Sequence, residues 1–274
     1  MKSQHKYNEF VANLGDHQTR VQLFGPENGI PVLFLHSLGL NYRSFNKIHA
    51  RLQKGILAIS FDQRGHGASD TVAPSEIYLE AMAEDALKLL NYLELDSAHI
   101  VGHSLGGAVA ALAYQQDPSK WRSVSIICSP PIGGDAFLNR AREALINGTD
   151  AIVQPTLQRW FDRDTISCNS SAVTYATQCL ESMKIPQWVA LWESLADFSG
   201  YQGKSWGDSH YLVIADDSDR STPPISMKAI AENLPGAIFA LSKRGGHMAP
   251  LTAPNQIARI LNKFWREGKN IDFI

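Results

Sequence analysis

The stretch Gly102-His103-Ser104-Leu105-Gly106-Gly107 constrains this chain more than any other. Before it lies a short apolar run, Ala98-His99-Ile100-Val101, which reads as a buried strand, and after it Ala108 to Tyr114 reads as a helix. A strand that becomes a helix within a few residues holds its apex residue in a strained conformation with no room beside it, so the neighbours must be small. Gly102 and Gly106 meet that need. Such a turn pushes the Ser104 hydroxyl out over the end of a sheet and aims the first backbone N–H groups of the helix, starting with Leu105, at the same space. One turn thus offers a candidate nucleophile and half of an anion site.

The rest of the chain supplies the sheet. Asn8 to Ala12 and Thr19 to Phe24 alternate weakly, as an edge hairpin turning at Gly15-Asp16 does. Pro31-Val32-Leu33-Phe34-Leu35 is continuously apolar, as expected of a strand covered on both faces, and so points to a mainly parallel sheet between layers of helix. Leu57 to Phe61, Ile100-Val101, Val124 to Cys128, Tyr211 to Ile214 and Ile238 to Leu241 repeat the pattern. Between them, Leu79, Met82, Ala86, Leu89, Leu90 and Leu93 keep helical spacing, as do Met227, Ile230 and Leu234, then Ile257, Ile260, Leu261 and Phe264. The alternation predicts a doubly wound α/β fold with a mostly parallel eight-stranded sheet flanked by helices.

One interruption stands out. From Pro130 to about Trp206 no strand is evident, but helical stretches run near Asp135 to Ile146, Thr149 to Phe161, Ser171 to Met183 and Gln187 to Phe198. Gly148, the segment Asp162 to Asn169, and Pro186 separate them. We expect a core domain of residues 1–130 and 207–274, with 131–206 inserted after the sixth strand as a four-helix cap over the carboxyl ends of the strands, where such sheets bind ligands.

A serine hydroxyl is a poor nucleophile at neutral pH, so Ser104 needs a base, and the base needs an acid to fix its tautomer. His247 lies on a glycine-flanked loop after the last strand, and Asp219 lies after the strand before it, with Asp216 and Asp217 as rivals for the acid's role. The chain order Ser, Asp, His suits this kind of sheet. His36-Ser37-Leu38-Gly39 follows the third strand and places the Leu38 N–H as a partner donor to Leu105. His36 and His103 are expected to be packed or hydrogen-bonded, and the loop Asp62 to Asp70 to be shaped by its charges and glycines beside the pocket. No histidine stands in metal-ligand spacing, and neither a metal nor any other cofactor is expected.

Composition excludes other partners. A net charge of −2 supplies no basic field for nucleic acid and no polybasic anchor for lipid. Met1 to Tyr7 is polar with no apolar run behind it, and no long apolar run occurs elsewhere, so a cytoplasmic protein with a small-molecule partner and no membrane association is expected. Cys128, Cys168 and Cys179 form no disulfide pattern and are expected to be free. Oligomeric state stays open.

Together, His36 to Gly39, Asp62 to Ser69, Gly102 to Gly107, Asp219 before Thr222-Pro223-Pro224, and Gly246-His247 resemble the α/β-hydrolase superfamily. The resemblance implies Ser104 as nucleophile, His247 as general base and then acid, Asp219 as orienting acid, and the Leu38 and Leu105 N–H groups as oxyanion donors. Ser37 departs from the glycine many members carry; Ser37-Leu38-Gly39 is similar to 3-oxoadipate enol-lactonases and related carboxylesterases. Dehalogenases and epoxide hydrolases of the superfamily carry aspartate at the turn, and Ser104 argues against both. The expected activity is hydrolysis of a small carboxylic ester or lactone. Acyl transfer, perhydrolysis, thioester cleavage or ligand binding without turnover are the alternatives. For a substrate bearing carboxylates, Arg140, Arg142, Arg159 and Arg163 are candidate cations set against the simpler role of solvated charges. Trp160, Trp188 and Trp192 line an apolar acyl pocket or belong to the core.

Overall fold

A computed structural model describes residues 7–202, 206–207 and 209–268. Met1 to Lys6, part of the polar stretch on which the cytoplasmic expectation rests, lie outside the described residues. In chain order the elements are β1 Asn8–Asn13, β2 Gln18–Phe24, β3 Ile30–Leu35, α1 Asn46–His49, β4 Ile56–Phe61, α2 Leu79–Tyr92, β5 Ala98–His103, α3 Leu105–Gln116 and β6 Trp121–Ile127. Five helices follow, α4 Asp135–Asn147, α5 Thr149–Trp160, α6 Arg163–Ser167, α7 Ser171–Glu181 and α8 Ile185–Ala196. The chain then returns through β7 His210–Asp216, α9 Pro224–Glu232, β8 Ile238–Ser242, α10 Ala249–Thr252 and α11 Pro254–Glu267.

The eight strands form one sheet in the order β1-β2-β4-β3-β5-β6-β7-β8. The β1/β2 hairpin stands at one edge, β2 pairs antiparallel with β4, and every pair from there to β8 is parallel. The reason lies in side-chain alternation: Val32 and Phe34 join one buried cluster with Phe45, Ile257 and Phe264, whereas Leu33 and Leu35 join the other with α2 and α3. Successive residues of a strand face opposite sides, so a continuously apolar strand is the one whose two faces are both covered. Helix α3 is buried from Leu105 to Tyr114, and its run of Gly and Ala lets it lie close against the centre of the sheet.

The insertion after β6 differs from expectation in two details. A short fifth helix, α6, occupies part of the segment expected only to separate its neighbours, started by the Asp162 carboxylate accepting from Thr165 N–H at 2.7 Å. Pro186 does not separate helices but sits in the first turn of α8, where its missing N–H costs nothing. Helix α8 is tied to the rest by Ser194 Oγ, which accepts from Leu79 N–H at 2.8 Å.

The loop after β4 is held by charge. Arg64, buried, makes a two-point contact with the Asp85 carboxylate of α2, both bonds at 2.7 Å, and donates to Glu76 O and to Asp16 at 3.0 Å. Removing one member of a buried pair strands the other's charge. Arg64→Met is therefore expected to lower stability by about 3–5 kcal/mol, read as the urea unfolding midpoint; an unchanged midpoint contradicts the anchoring role.

Candidate active site

The parallel strands deliver their following loops to one edge of the sheet, and the predicted residues meet there. Ser104 sits between β5 and α3 at φ 54° and ψ −117°, a conformation rare for a residue with a side chain. The glycines make it achievable: a Cβ at Gly102 would collide with the backbone of Gly106, and one at Gly106 with the carbonyl of Leu35.

His247 Nε2 lies 3.1 Å from Ser104 Oγ, and its Nδ1 lies 3.0 Å from Asp219 Oδ2. All three residues are buried. Burial alone would raise the Asp219 pKa; the adjacent His247, together with the hydrogen bonds from Thr222, outweighs it and holds the carboxyl well below the usual range. Asp219 is thus an ionised acceptor. Nδ1 of His247 carries the proton and donates it to Asp219, leaving Nε2 to accept from the Ser104 hydroxyl. Thr222 Oγ1 donates to the same Asp219 oxygen at 2.5 Å, and the Ser221 and Thr222 N–H groups bond to Oδ1 at 2.7 and 3.0 Å.

The rival acids have other work. Asp216 accepts from Gly245 N–H, Gly246 N–H, Ser218 N–H and two serine hydroxyls, which ties the loop of His247 to the end of β7. Asp217 accepts from Arg244 N–H at 2.7 Å. His103 donates from Nε2 to the His247 carbonyl at 2.8 Å, while burial first and His247 second push its pKa down to about 3. His36 donates from Nδ1 to Ser37 O and accepts Gln63 N–H at Nε2. Both are structural, as their positions at strand ends suggest.

A cavity of about 110 Å³ opens above Ser104. Its floor comes from Ser37, Leu38, Ser104, Thr222 and His247, and its walls come from the insertion, including Phe137, Arg140, Arg159, Trp160, Trp192 and Leu195. The loop Asp62 to Asp70 does not line it, a departure from expectation: Asp62 turns inward to accept Tyr42 and Ala68 N–H, so the loop is shaped by its own charges. Leu38 and Leu105 are both buried, and neither backbone N–H bonds to another described residue.

Of the four arginines, Arg140 and Arg159 reach this cavity, while Arg142 and Arg163 are exposed. Arg140 lies over the Trp192 ring at 4.6 Å from its centroid. Burial lowers the pKa of both guanidinium groups, and Arg140 adds to the effect on Arg159. Among the described residues no carboxylate forms an ion pair with either. The same two arginines border a larger outer hollow of about 620 Å³ between α4 and α5, where Glu143, Asp150 and Trp188 also lie. Trp160 and Trp192 thus face the inner cavity and Trp188 the outer hollow, though all three are also core residues.

Asp16, His17 and Asp85 bring ligand atoms within 4.8 Å of one another, a cluster the sequence spacing does not disclose. Arg64 bonds both carboxylates and Lys88 pairs with Asp16, so two cations already meet their charge. The three cysteines are free. No described helix is long and apolar enough to cross a membrane.

Comparison with known proteins agrees with this architecture. 3-Oxoadipate enol-lactonase 1 from Acinetobacter baylyi is 31% identical over 153 residues, 55% of this chain and 57% of the relative. The match therefore spans little more than half of that relative's length. The putative carbamate hydrolase RutD from Pseudomonas syringae pv. syringae is 27% identical over 241 residues, 85% of this chain and 93% of the relative. A solved hydrolase from Pseudomonas aeruginosa PA01 superposes with a TM-score of 0.87 over 94% of this chain and 98% of its own, at 21% identity, a likeness of fold. A family model described as alpha/beta hydrolase fold matches residues 30–171, more than half of the chain and the span that runs from β3 through the Ser104 turn into the insertion. The chain belongs to the alpha/beta hydrolase fold family.

Proposed function

We propose that the chain is a serine hydrolase of small carboxylic esters or lactones, acting through an acyl-enzyme on Ser104. The observation that carries this reading is the unbroken hydrogen-bonded line from Ser104 Oγ through the His247 ring to Asp219, at the floor of a cavity large enough for a short acyl group. The enol-lactonase and carbamate hydrolase relatives support cleavage at a carbonyl.

In this reading the Ser104 oxygen attacks the substrate carbonyl as His247 Nε2 takes the hydroxyl proton. The developing oxyanion is held by the N–H groups of Leu38 and Leu105, which carry no competing bond among the described residues. His247 then gives its proton to the leaving alcohol oxygen, and the ester bond breaks. Water, deprotonated by the same nitrogen, attacks the acyl-enzyme and releases the acid, returning the proton to Ser104. Asp219 stays ionised throughout and stabilises the imidazolium. Residues 131–206 act as a cap on the core of 1–130 and 207–274, excluding water from the cavity and contributing most of its walls.

Two half-buried guanidinium groups with no carboxylate partner among the described residues favour a substrate that brings its own negative charge. Anionic esters or lactones are therefore the preferred class over neutral ones.

A fluorophosphonate is expected to label Ser104, located by peptide mass analysis, and Ser104→Ala is expected to lose kcat by several orders of magnitude. Folded protein with an unlabelled Ser104 refutes the nucleophile. Arg159→Met is expected to raise KM for an ester carrying a free carboxylate about tenfold while sparing its neutral methyl-ester analogue; equal effects on the two remove the anion preference.

A further inference from the structure

The strained peptide between Ser104 and Leu105 is held by more than its glycine neighbours. Its carbonyl oxygen, that of Ser104, accepts two hydrogen bonds at 2.8 Å each. One comes from Gly107 N–H, an i to i+3 bond of the 3₁₀ type that tightens the first turn of α3. The other comes from the hydroxyl of Ser129, two residues beyond the end of β6.

The direction of this network follows from proton counting. A carbonyl only accepts, so the single hydroxyl proton of Ser129 is committed to Ser104. The 3.0 Å contact between Ser129 Oγ and the Tyr201 hydroxyl must then have the phenol as donor. The line Tyr201 O–H to Ser129 O–H to Ser104 C=O runs one way through buried groups. Burial also keeps the Tyr201 phenol above its usual pKa, so it stays a donor. The backbone is shaped for the contact: Cys128 takes a φ of 45° at the end of β6, and a Cβ on Gly107 would come within 2.6 Å of the Ser129 side chain.

In a trans peptide the C=O and N–H of one unit point in opposite directions. Fixing the Ser104 carbonyl therefore fixes the heading of the Leu105 N–H. We propose that Ser129 and Tyr201 are positioning residues for the oxyanion donor, locking the Ser104–Leu105 peptide with its N–H turned toward the substrate carbonyl. The inference rests on the hydrolase reading above. It also links the insertion to the chemistry, because Tyr201 follows α8 and packs edge-on against Phe198 with ring centroids 5.4 Å apart. Displacing the end of the insertion would slacken the donor through the Ser104 carbonyl, with no contact to the Ser104 hydroxyl or to His247.

The test separates kcat from KM. Ser129→Ala is expected to lower kcat about tenfold, a fraction of the ~10²–10³ cost of deleting a donor outright, with KM within about twofold. Affinity for a boronic acid, which forms a tetrahedral adduct on the Ser104 oxygen, is expected to fall by the same factor as kcat. Tyr201→Phe keeps the ring and removes only the first donor, so it moves both quantities the same way by about threefold, and it serves alone if the serine variant does not fold. Wild-type kcat and boronate affinity in folded Tyr201→Phe and Ser129→Ala overturn the proposal. The Leu105 amide resonance in protein labelled with ¹⁵N-leucine gives a readout independent of turnover. If Ser129→Ala shifts that amide in a chain that fluorophosphonate never labels, the peptide lock stands and the hydrolase reading falls. An unmoved amide with wild-type turnover does the reverse.

Discussion

The approach of Gly106 to the carbonyl of Leu35 is the contact on which the rest of the site depends. It lets α3 start directly over the end of β3, and with Gly102 tucked against the Gly106 backbone it forces Ser104 into its positive φ. A residue held this way is strained, and the strain persists only because both neighbouring strands and the helix over-determine it. The serine hydroxyl and the Leu105 N–H are then presented together, before any ligand arrives. Preorganisation of this kind is what an acyl-transfer site needs, since donors already in place spend nothing on reorienting as charge develops.

A second layer holds His247. Its loop carries two glycines, which alone would leave it mobile; Asp216 gathers the N–H groups of Gly245 and Gly246, and His103 takes the His247 carbonyl. Asp219, itself fixed by Thr222 and the turn around Ser221, sets the tautomer. The three carboxylates at the end of β7 and in the loop after it therefore divide the work. Asp216 fixes the loop of His247, Asp217 fixes the entry to it through Arg244, and Asp219 fixes the imidazole. Asp216 and Asp219 are buried, so each bond to them left unmade would carry a desolvation cost, whereas the Asp217 contact lies at the exposed surface.

The insertion supplies most of the residues around the cavity above Ser104. Trp160 and Trp192 line it together with Arg140 and Arg159. Arg140, stacked on Trp192, is held by the ring face and not by an acid, which leaves its N–H donors free of a carboxylate among the described residues. The same segment carries Tyr201, whose hydroxyl begins the line that reaches the Ser104 carbonyl. Walls, charge and donor alignment thus share one stretch of chain.

Much of this is legible in the residues alone. Continuous apolar runs specify a parallel sheet covered on both faces, because period-two alternation sends neighbours such as Leu33 and Phe34 to opposite layers. Local sterics specify the turn at Ser104, and the order of Ser104, Asp219 and His247 puts the three at successive loop positions. Local signals also mislead: Pro186 reads as a separator because proline breaks helices from within, yet at a first turn it fits. No spacing discloses the choice among Asp216, Asp217 and Asp219, which of four arginines turn inward, or the meeting of Ser129 with Tyr201. Those are contacts between residues far apart in the chain, and their distances are set by how the strands stack and how the helices of the insertion settle on them. Residue order thus tells which chemical groups are present and on which strand ends they sit. Which of those side chains touch is a property of the packed chain, because hydrogen bonds of this length depend on three-dimensional placement that the periodicity of a single element does not encode.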